Sequence, residues 1–136
     1  MSVAFTKINS FVENLAEKQI DLSGAALTVA LTNTAHTATW DELADLTEVA
    51  YTNCSSRVLT VSTSSQTTGT YKLVLADLTL TASGAVGPFR YIYLYDDDST
   101  NDKLIGLYDY GSSVTLANGD TFKLDFDAGA GVITIA

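Results

Sequence analysis

Residues 88–111, PFRYIYLYDDDSTNDKLIGLYDYG, hold two runs of β-branched and aromatic residues on either side of an acidic, Asn-, Ser- and Thr-rich stretch that no strand interior tolerates. The pattern predicts a β-hairpin. Side chains alternate along a strand, so Phe89, Tyr91, Tyr93 and Tyr95 share one face of the first arm while Arg90, Ile92 and Leu94 share the other. Neither face is simply polar. Such a strand is expected to be central, with one face in the domain's own core and the other covered by another sheet, a helix or a neighbouring subunit.

A chain of 136 residues is expected to form one domain, 1–136, burying roughly two-thirds of its unfolded surface without help from disulfides or metals. The net charge of −9, with Lys and Arg scattered singly, argues against nucleic acid as a partner. The opening MSVAFTKINS lacks the basic and apolar regions of a secretion signal, and no run approaches the ~20 apolar residues of a membrane span. Synthesis in the cytoplasm is the expectation. Cys54 has no second cysteine to pair with, and Asn53, Ser55 and Ser56 around it suggest a turn and a structural thiol.

The abundance of Thr, Val, Ile and Tyr predicts a mainly β chain. The exception is residues 3–19, where Phe5, Ile8, Phe11, Val12 and Leu15 recur at helical spacing and predict an amphipathic helix, capped by Ser2 or, for a later start, by a Ser10/Glu13 capping box. That helix would close one end of the β domain or dock on another subunit. Residues 25–32 alternate as a half-buried strand. Next come a loop in which His36 is expected to be solvated and a short helical turn, carrying Leu43 and Leu46, that Thr39 and Glu42 would box.

Residues 49–52, 57–62 and 70–82 read as further strands, with the polar SSQTTG run as connection and Gly69 as a turn. In the last of these, Leu73 and Leu75 sit at odd positions but Leu78 and Leu80 at even ones. Either a bulge near Ala76 and Asp77 resets the register, or the strand passes there into a second sheet. Both suit an antiparallel β-sandwich or jelly roll. Residues 113–116 lead through Asn118-Gly119, a hairpin signal, into 121–127, where Phe122, Leu124 and Phe126 point inward. Gly129 and Gly131 then turn the chain into GVITIA, a last apolar strand tied into the sheet. No long-period repeat is present.

The residues offer little chemistry. One histidine without a carboxylate partner nearby makes no nucleophile-base set, and no Gly-rich loop runs from a strand into a helix, so an enzyme is not expected. Asp96, Asp98 and Asp102, with Thr100 between, have the alternate spacing of a calcium loop. However, Asn101 and Leu107 stand where such a loop needs its turn glycine and its closing glutamate, and no helices flank it. A solvated acidic tip is the preferred reading over a Ca²⁺ site, and no other cofactor is suggested.

The blocks AFTKINSFVENLAEK, LTVALTNTA, LADLTEVAY, LTLTASGAVGPFRYIYLYDD, LIGLYDYGSSVTLANGDTFKLDFD and GVITIA resemble, in order and over nearly the whole chain, small virion proteins of tailed bacteriophages: capsid decoration (cement) or minor structural proteins. After LADLTEVAY this chain has TNCSSR where the family pattern has Gly-Tyr and further glycines, so that loop is expected to differ. The resemblance implies a β-rich, non-catalytic accessory protein on the outer surface of the virion, with the major capsid protein as partner and copies of itself as neighbours. In that role Tyr91, Tyr93, Tyr95, Tyr108 and Tyr110 are the candidate contact residues, with Arg90 as a polar anchor and Phe5 and Phe11 available on the N-terminal helix. Ile92 and Leu94 are then assigned to the core. A tail-associated or lectin-like module, reading a glycan or host surface, is the alternative.

Overall fold

The structure is a computed structural model that describes residues 3–24 and 26–136. Ser2, one of the expected caps, and Ala25, the first residue of the expected 25–32 strand, lie outside the described residues. In chain order the elements are β1 (Phe5–Lys7), α1 (Phe11–Ala16), β2 (Leu27–Thr32), a 3-10 turn at Leu43–Asp45, β3 (Val61–Thr67), β4 (Thr70–Leu75), β5 (Leu78–Thr81), β6 (Val86–Asp96), β7 (Lys103–Leu116), β8 (Thr121–Leu124) and β9 (Ile133–Ile135). Strand makes up 47% of the chain and helix 7%, so the protein is mainly β, as its composition implies. The strands pair antiparallel in three sheets, ordered β1-β7-β6-β2, β3-β4-β9 and β5-β8.

The hairpin forms as its sequence indicates, with β6 and β7 at the centre of the four-stranded sheet. Ile92 and Tyr93 are both fully buried, and they lie on opposite faces of β6. The covering of the tyrosine face is the chain itself. Residues 33–60, largely irregular, lay His36 and Trp40 over Tyr93, and bring Arg57 to Tyr95.

This same segment closes the outer edge of β2, where Leu27 and Leu31 carbonyls accept from Leu59 and Val49 N–H groups. Val29 N–H donates to the Arg57 carbonyl, while Arg57 Nη1 returns a bond to the Val29 carbonyl at 2.6 Å. Leu31 N–H donates to the Tyr51 hydroxyl at 2.9 Å. An open strand edge invites pairing with other chains, and here side chains complete what backbone alone does not. The strand expected at 49–52 does not form, an isolated bridge of Thr32 with Glu48 lying just before it, and of the one expected at 57–62 only residues 61–62 are strand, as the start of β3, with an isolated bridge of Thr28 with Val58 ahead of them.

The phase change after Leu75 is a sheet crossing. β4 pairs with β3 and β9, whereas β5, two residues on, pairs with β8. Asp77 stabilises the crossing by accepting from Phe126 N–H at 2.9 Å. Phe122, Leu124 and Phe126 are buried, as their alternation requires.

Several expectations are corrected. The helix expected over 3–19 is confined to Phe11–Ala16, because Phe5–Lys7 pairs with β7 instead, placing Phe5 against Tyr108 with ring centroids 5.4 Å apart. Val12, assigned to the apolar stripe, is 52% exposed. Ser10 is the N-cap residue but makes no capping bond, and its hydroxyl donates to Asp41 Oδ1 at 2.6 Å. The second capping box forms one turn later than expected, between Glu42 and Asp45. The polar run SSQTTG, residues 64–69, is strand as far as Thr67, since Thr and Ser suit an edge with little to bury, and Thr68 and Gly69, both at positive φ, make the tight turn expected at Gly69. Asn118-Gly119 makes a turn between sheets, not a hairpin, because β7 and β8 have different partners.

Gly106 faces Lys7 across the β1–β7 pair, and a Cβ there would meet the Phe5 ring and lie 2.8 Å from the Thr6 carbonyl oxygen. Gly106→Ala is therefore expected to cost about 1–3 kcal/mol by overpacking and to prise β1 from the sheet. Hydrogen exchange should show protection lost at residues 5–8 before the β6–β7 amides; unchanged protection there would contradict this role.

Candidate functional site

The residues proposed for contact fall into two groups. Tyr93, Tyr95, Tyr108 and Phe11 are at most 7% exposed and lie in the domain's own core. Burial pushes the Tyr108 hydroxyl up to about 12. From Tyr93 to Tyr95 the tyrosine face of β6 is thus internal together with Ile92 and Leu94, which departs from the division of faces expected from the sequence. Phe5 and Tyr91 are half-buried, and Arg90 and Tyr110 reach the surface.

Arg90, Tyr91 and Tyr110 gather around an irregularity in the central hairpin. Between the Phe89–Val114 and Tyr91–Asp109 pairs, β6 has Arg90 alone while β7 carries residues 110–113. The excess is pushed outward as a bulge with Gly111 at φ 95, a conformation that a side chain would strain. Arg90 grips its base in bidentate fashion, Nε to Asp109 Oδ1 at 2.8 Å and Nη2 to Oδ2 at 3.1 Å. The Arg90 guanidinium, then the Gly111 amide, hold the Asp109 carboxyl below its usual range. On one side the Tyr110 ring meets Phe122 edge-on at 5.2 Å, and on the other Ser113 Oγ donates to Asn33 at 2.7 Å. Tyr110, 44% exposed, is presented on a supported scaffold. Gly111 and the serines after it break the alternation of β7, and that is the signal for the bulge legible in the sequence.

The acidic tip is built differently from a cation loop. Asp96 is buried, and its carboxylate accepts from Asp21 N–H at 2.9 Å and Asp98 N–H at 3.1 Å. Ser99 Oγ accepts from Lys103 N–H at 2.7 Å, and Asn101 and Asp102 take positive φ to close the turn. Burial first, then the Asp97 and Asp96 charges, raise the Asp102 carboxyl. Asp96, Asp98 and Asp102 are not brought together as ligands, and among the described residues no three His, Cys, Asp or Glu side chains are placed to hold a metal.

Behind the tip lies a polar anchor that the sequence reading passed over. Lys103, largely buried at the start of β7, reaches Asp41 Oδ2 at 2.8 Å and Glu42 Oε1 at 3.2 Å. Asp41 Oδ1 also accepts from Ser10 Oγ at 2.6 Å and Asn14 Nδ2 at 2.7 Å. One carboxylate therefore joins α1, the loop after β2 and the hairpin. Its only sequence trace is the adjacent Asp41-Glu42 pair, which proximity in the chain does not connect to Lys103.

His36 departs from the solvated loop expected of it. Its Nδ1 lies 2.8 Å from the Tyr93 hydroxyl, and its ring meets Trp40 edge-on at 5.7 Å. Cys54, half-buried beside Ala82, has its thiol raised by burial, which the Arg57 charge partly opposes.

Burial pushes the Asp41 carboxyl up, but bonds from Lys103, Ser10 and Asn14 outweigh it and leave it below its ordinary 3.8. A depressed carboxyl stabilises the fold fully above its unfolded value, and that contribution is lost as pH falls through the lower folded value. Asp41→Asn should flatten the acid limb of a stability-versus-pH curve below about pH 4. Asp41→Ala, which leaves Lys103 facing only Glu42, should cost about 2–3 kcal/mol at neutral pH by urea unfolding. An acid limb unchanged in Asp41→Asn would remove this carboxylate from the account of acid sensitivity.

Comparison of this chain with protein-family models, with curated proteins and with solved structures finds no match.

Proposed function

We propose that this chain is a structural protein of a tailed-bacteriophage virion, a decoration protein that binds the outer capsid surface and holds the head together. What carries the reading is where the resembling blocks fall. AFTKINSFVENLAEK spans β1 and α1, LTVALTNTA spans β2, and the two longest blocks span β5 to β8, so the resemblance follows the central sheet and its supports instead of one local motif. The three sheets, with the chain crossing between them after Leu75, fit a sandwich of jelly-roll type.

In this reading the Tyr110 bulge, with Arg90 and Tyr91 beside it, is the contact surface for the major capsid protein. Tyrosine and arginine are the residues that dominate protein interfaces, since each gives a broad contact area with a polar end to fix orientation. Here the Asp109 clamp and Phe122 hold both in place before binding, so little ordering remains to oppose association. Modest contacts, repeated over neighbouring copies across subunit boundaries, then sum to a large stabilisation of the shell. No chemistry is required.

Purified protein is expected to bind filled heads that lack it and to raise the temperature at which they release DNA. Tyr110→Ala with Arg90→Ala should weaken that binding ~10- to 100-fold, about 1–3 kcal/mol, while the isolated domain keeps its unfolding midpoint within a few degrees. A particle reconstruction placing the chain on the tail, or retention on a glycan array without head binding, would replace this reading by the tail-associated or lectin-like one. Full head binding by the double variant would clear the bulge of the contact role.

A further inference from the structure

The Tyr93 hydroxyl is fully buried, and among the described residues its hydrogen-bond partner is His36 Nδ1 at 2.8 Å. The arrangement that keeps the hydroxyl proton partnered has it donate to Nδ1, with the neutral imidazole's proton on Nε2. A proton added to the ring goes to Nδ1 and turns that acceptor into a donor. The Tyr93 proton is then left without a partner at a buried position, and the half-buried ring must carry a charge that burial disfavours.

The segment bearing His36 is built to respond. It is pinned at its start, where Thr34 N–H donates to Thr32 Oγ1 at 3.2 Å and Ser113 reaches Asn33, and at its end, where Leu104 N–H donates to the Asp41 carbonyl at 2.9 Å. Between these pins, among the described residues, its hold on the body is the His36–Tyr93 bond, the Trp40 ring 6.3 Å from that of Tyr93, and one long exposed bond of 3.4 Å from Asn9 to the Ala38 carbonyl. We infer that residues 33–41 form an acid-sensitive latch over the tyrosine face of β6, closed while His36 is neutral and released when it is protonated, exposing Trp40 and the Tyr93 hydroxyl.

The groups facing the imidazole are few. Tyr93 faces it from β6 and Trp40 from the loop itself, while Tyr91 on β6 acts on Tyr93 and not on His36. Asp41, at the end of the segment, is engaged by Lys103, Ser10 and Asn14. Among the described residues the cause that shifts His36 is burial, which lowers it from 6.5. Closure is therefore complete above the open-state value near 6.5 and is lost as pH falls through the lower closed-state value. The latch stands apart from the decoration-protein reading, because it rests on this bond and this loop alone.

The chain has one histidine and one tryptophan, so both ends of the device report without background. His36 ring protons followed by NMR should titrate below 6.5, and over the same range acrylamide quenching of Trp40 should rise severalfold while far-UV circular dichroism holds. His36→Gln, which offers an acceptor that does not titrate, should abolish the rise. Hydrogen exchange on the unaltered protein separates the latch from general acid unfolding: amides of residues 36–40 should lose protection in that range while those of β6 and β7 keep theirs. The inference is overturned if quenching stays flat across the His36 titration, if His36→Gln keeps the same rise, or if loop and sheet amides lose protection together.

Discussion

A strand buried on both faces can leave no polar group to water, and β6 places that demand on every element around it. Ile92 and Leu94 are met by apolar neighbours, but Tyr93 and Tyr95 carry hydroxyls into the interior, where an unpartnered donor costs about 1–3 kcal/mol. His36 answers Tyr93, and Arg57 answers Tyr95. Both partners belong to residues 33–60, and a segment this long with only one 3-10 turn of regular structure needs a reason to persist. Here the reason is that it serves as the second layer over β6 and, through Tyr51, Arg57, Val49 and Leu59, as the cover of the β2 edge.

The same economy of polar groups recurs at the tip of the hairpin, where Lys103 pairs in register with Asp96. Lys103 is almost wholly enclosed, and a lone ammonium there would be untenable without the Asp41 and Glu42 carboxylates. Asp41 in turn gathers Ser10 and Asn14, so the short helix α1, too brief to be stable alone, is fixed by tertiary bonds. Among the described residues no buried side-chain nitrogen or oxygen lacks a partner. Acidic side chains that look like a cation loop in the sequence are spent instead on backbone amides, as Asp96 is on Asp21 and Asp98.

For function, the consequence is a change in which aromatics face outward. A row of tyrosines is equally suited to a core with partnered hydroxyls and to an interface, since both reward area with a polar tip. Here Tyr93 and Tyr95 of the row are internal, and what remains outside is the Tyr110 bulge, with half-buried Tyr91 beside it, stiffened by Arg90, Asp109 and Phe122. The proposed attachment to a capsid rests on that small presented surface and on repetition, and the inferred acid-sensitive hold of His36 on Tyr93 lies on β6, the strand paired with the one that bears the bulge.

The sequence by itself determined what period-two alternation can encode: a mainly β chain, the central hairpin with its polar tip, the inward Phe122, Leu124 and Phe126, and the break after Leu75 where the register flips. These are local patterns, and burial follows from them directly. Only the tertiary structure decided which pattern won where two were available. Phe5 and Phe11 fit one helical stripe, yet the pairing of Phe5–Lys7 with β7 and the close approach at Gly106 took the first of them into a strand. Likewise nothing in the neighbours of His36, Asp41 or Lys103 names Tyr93, Ser10 or Asn14 as their partners. Those bonds join residues distant in sequence, and a buried charge or hydroxyl takes whatever partner the packed fold brings within reach.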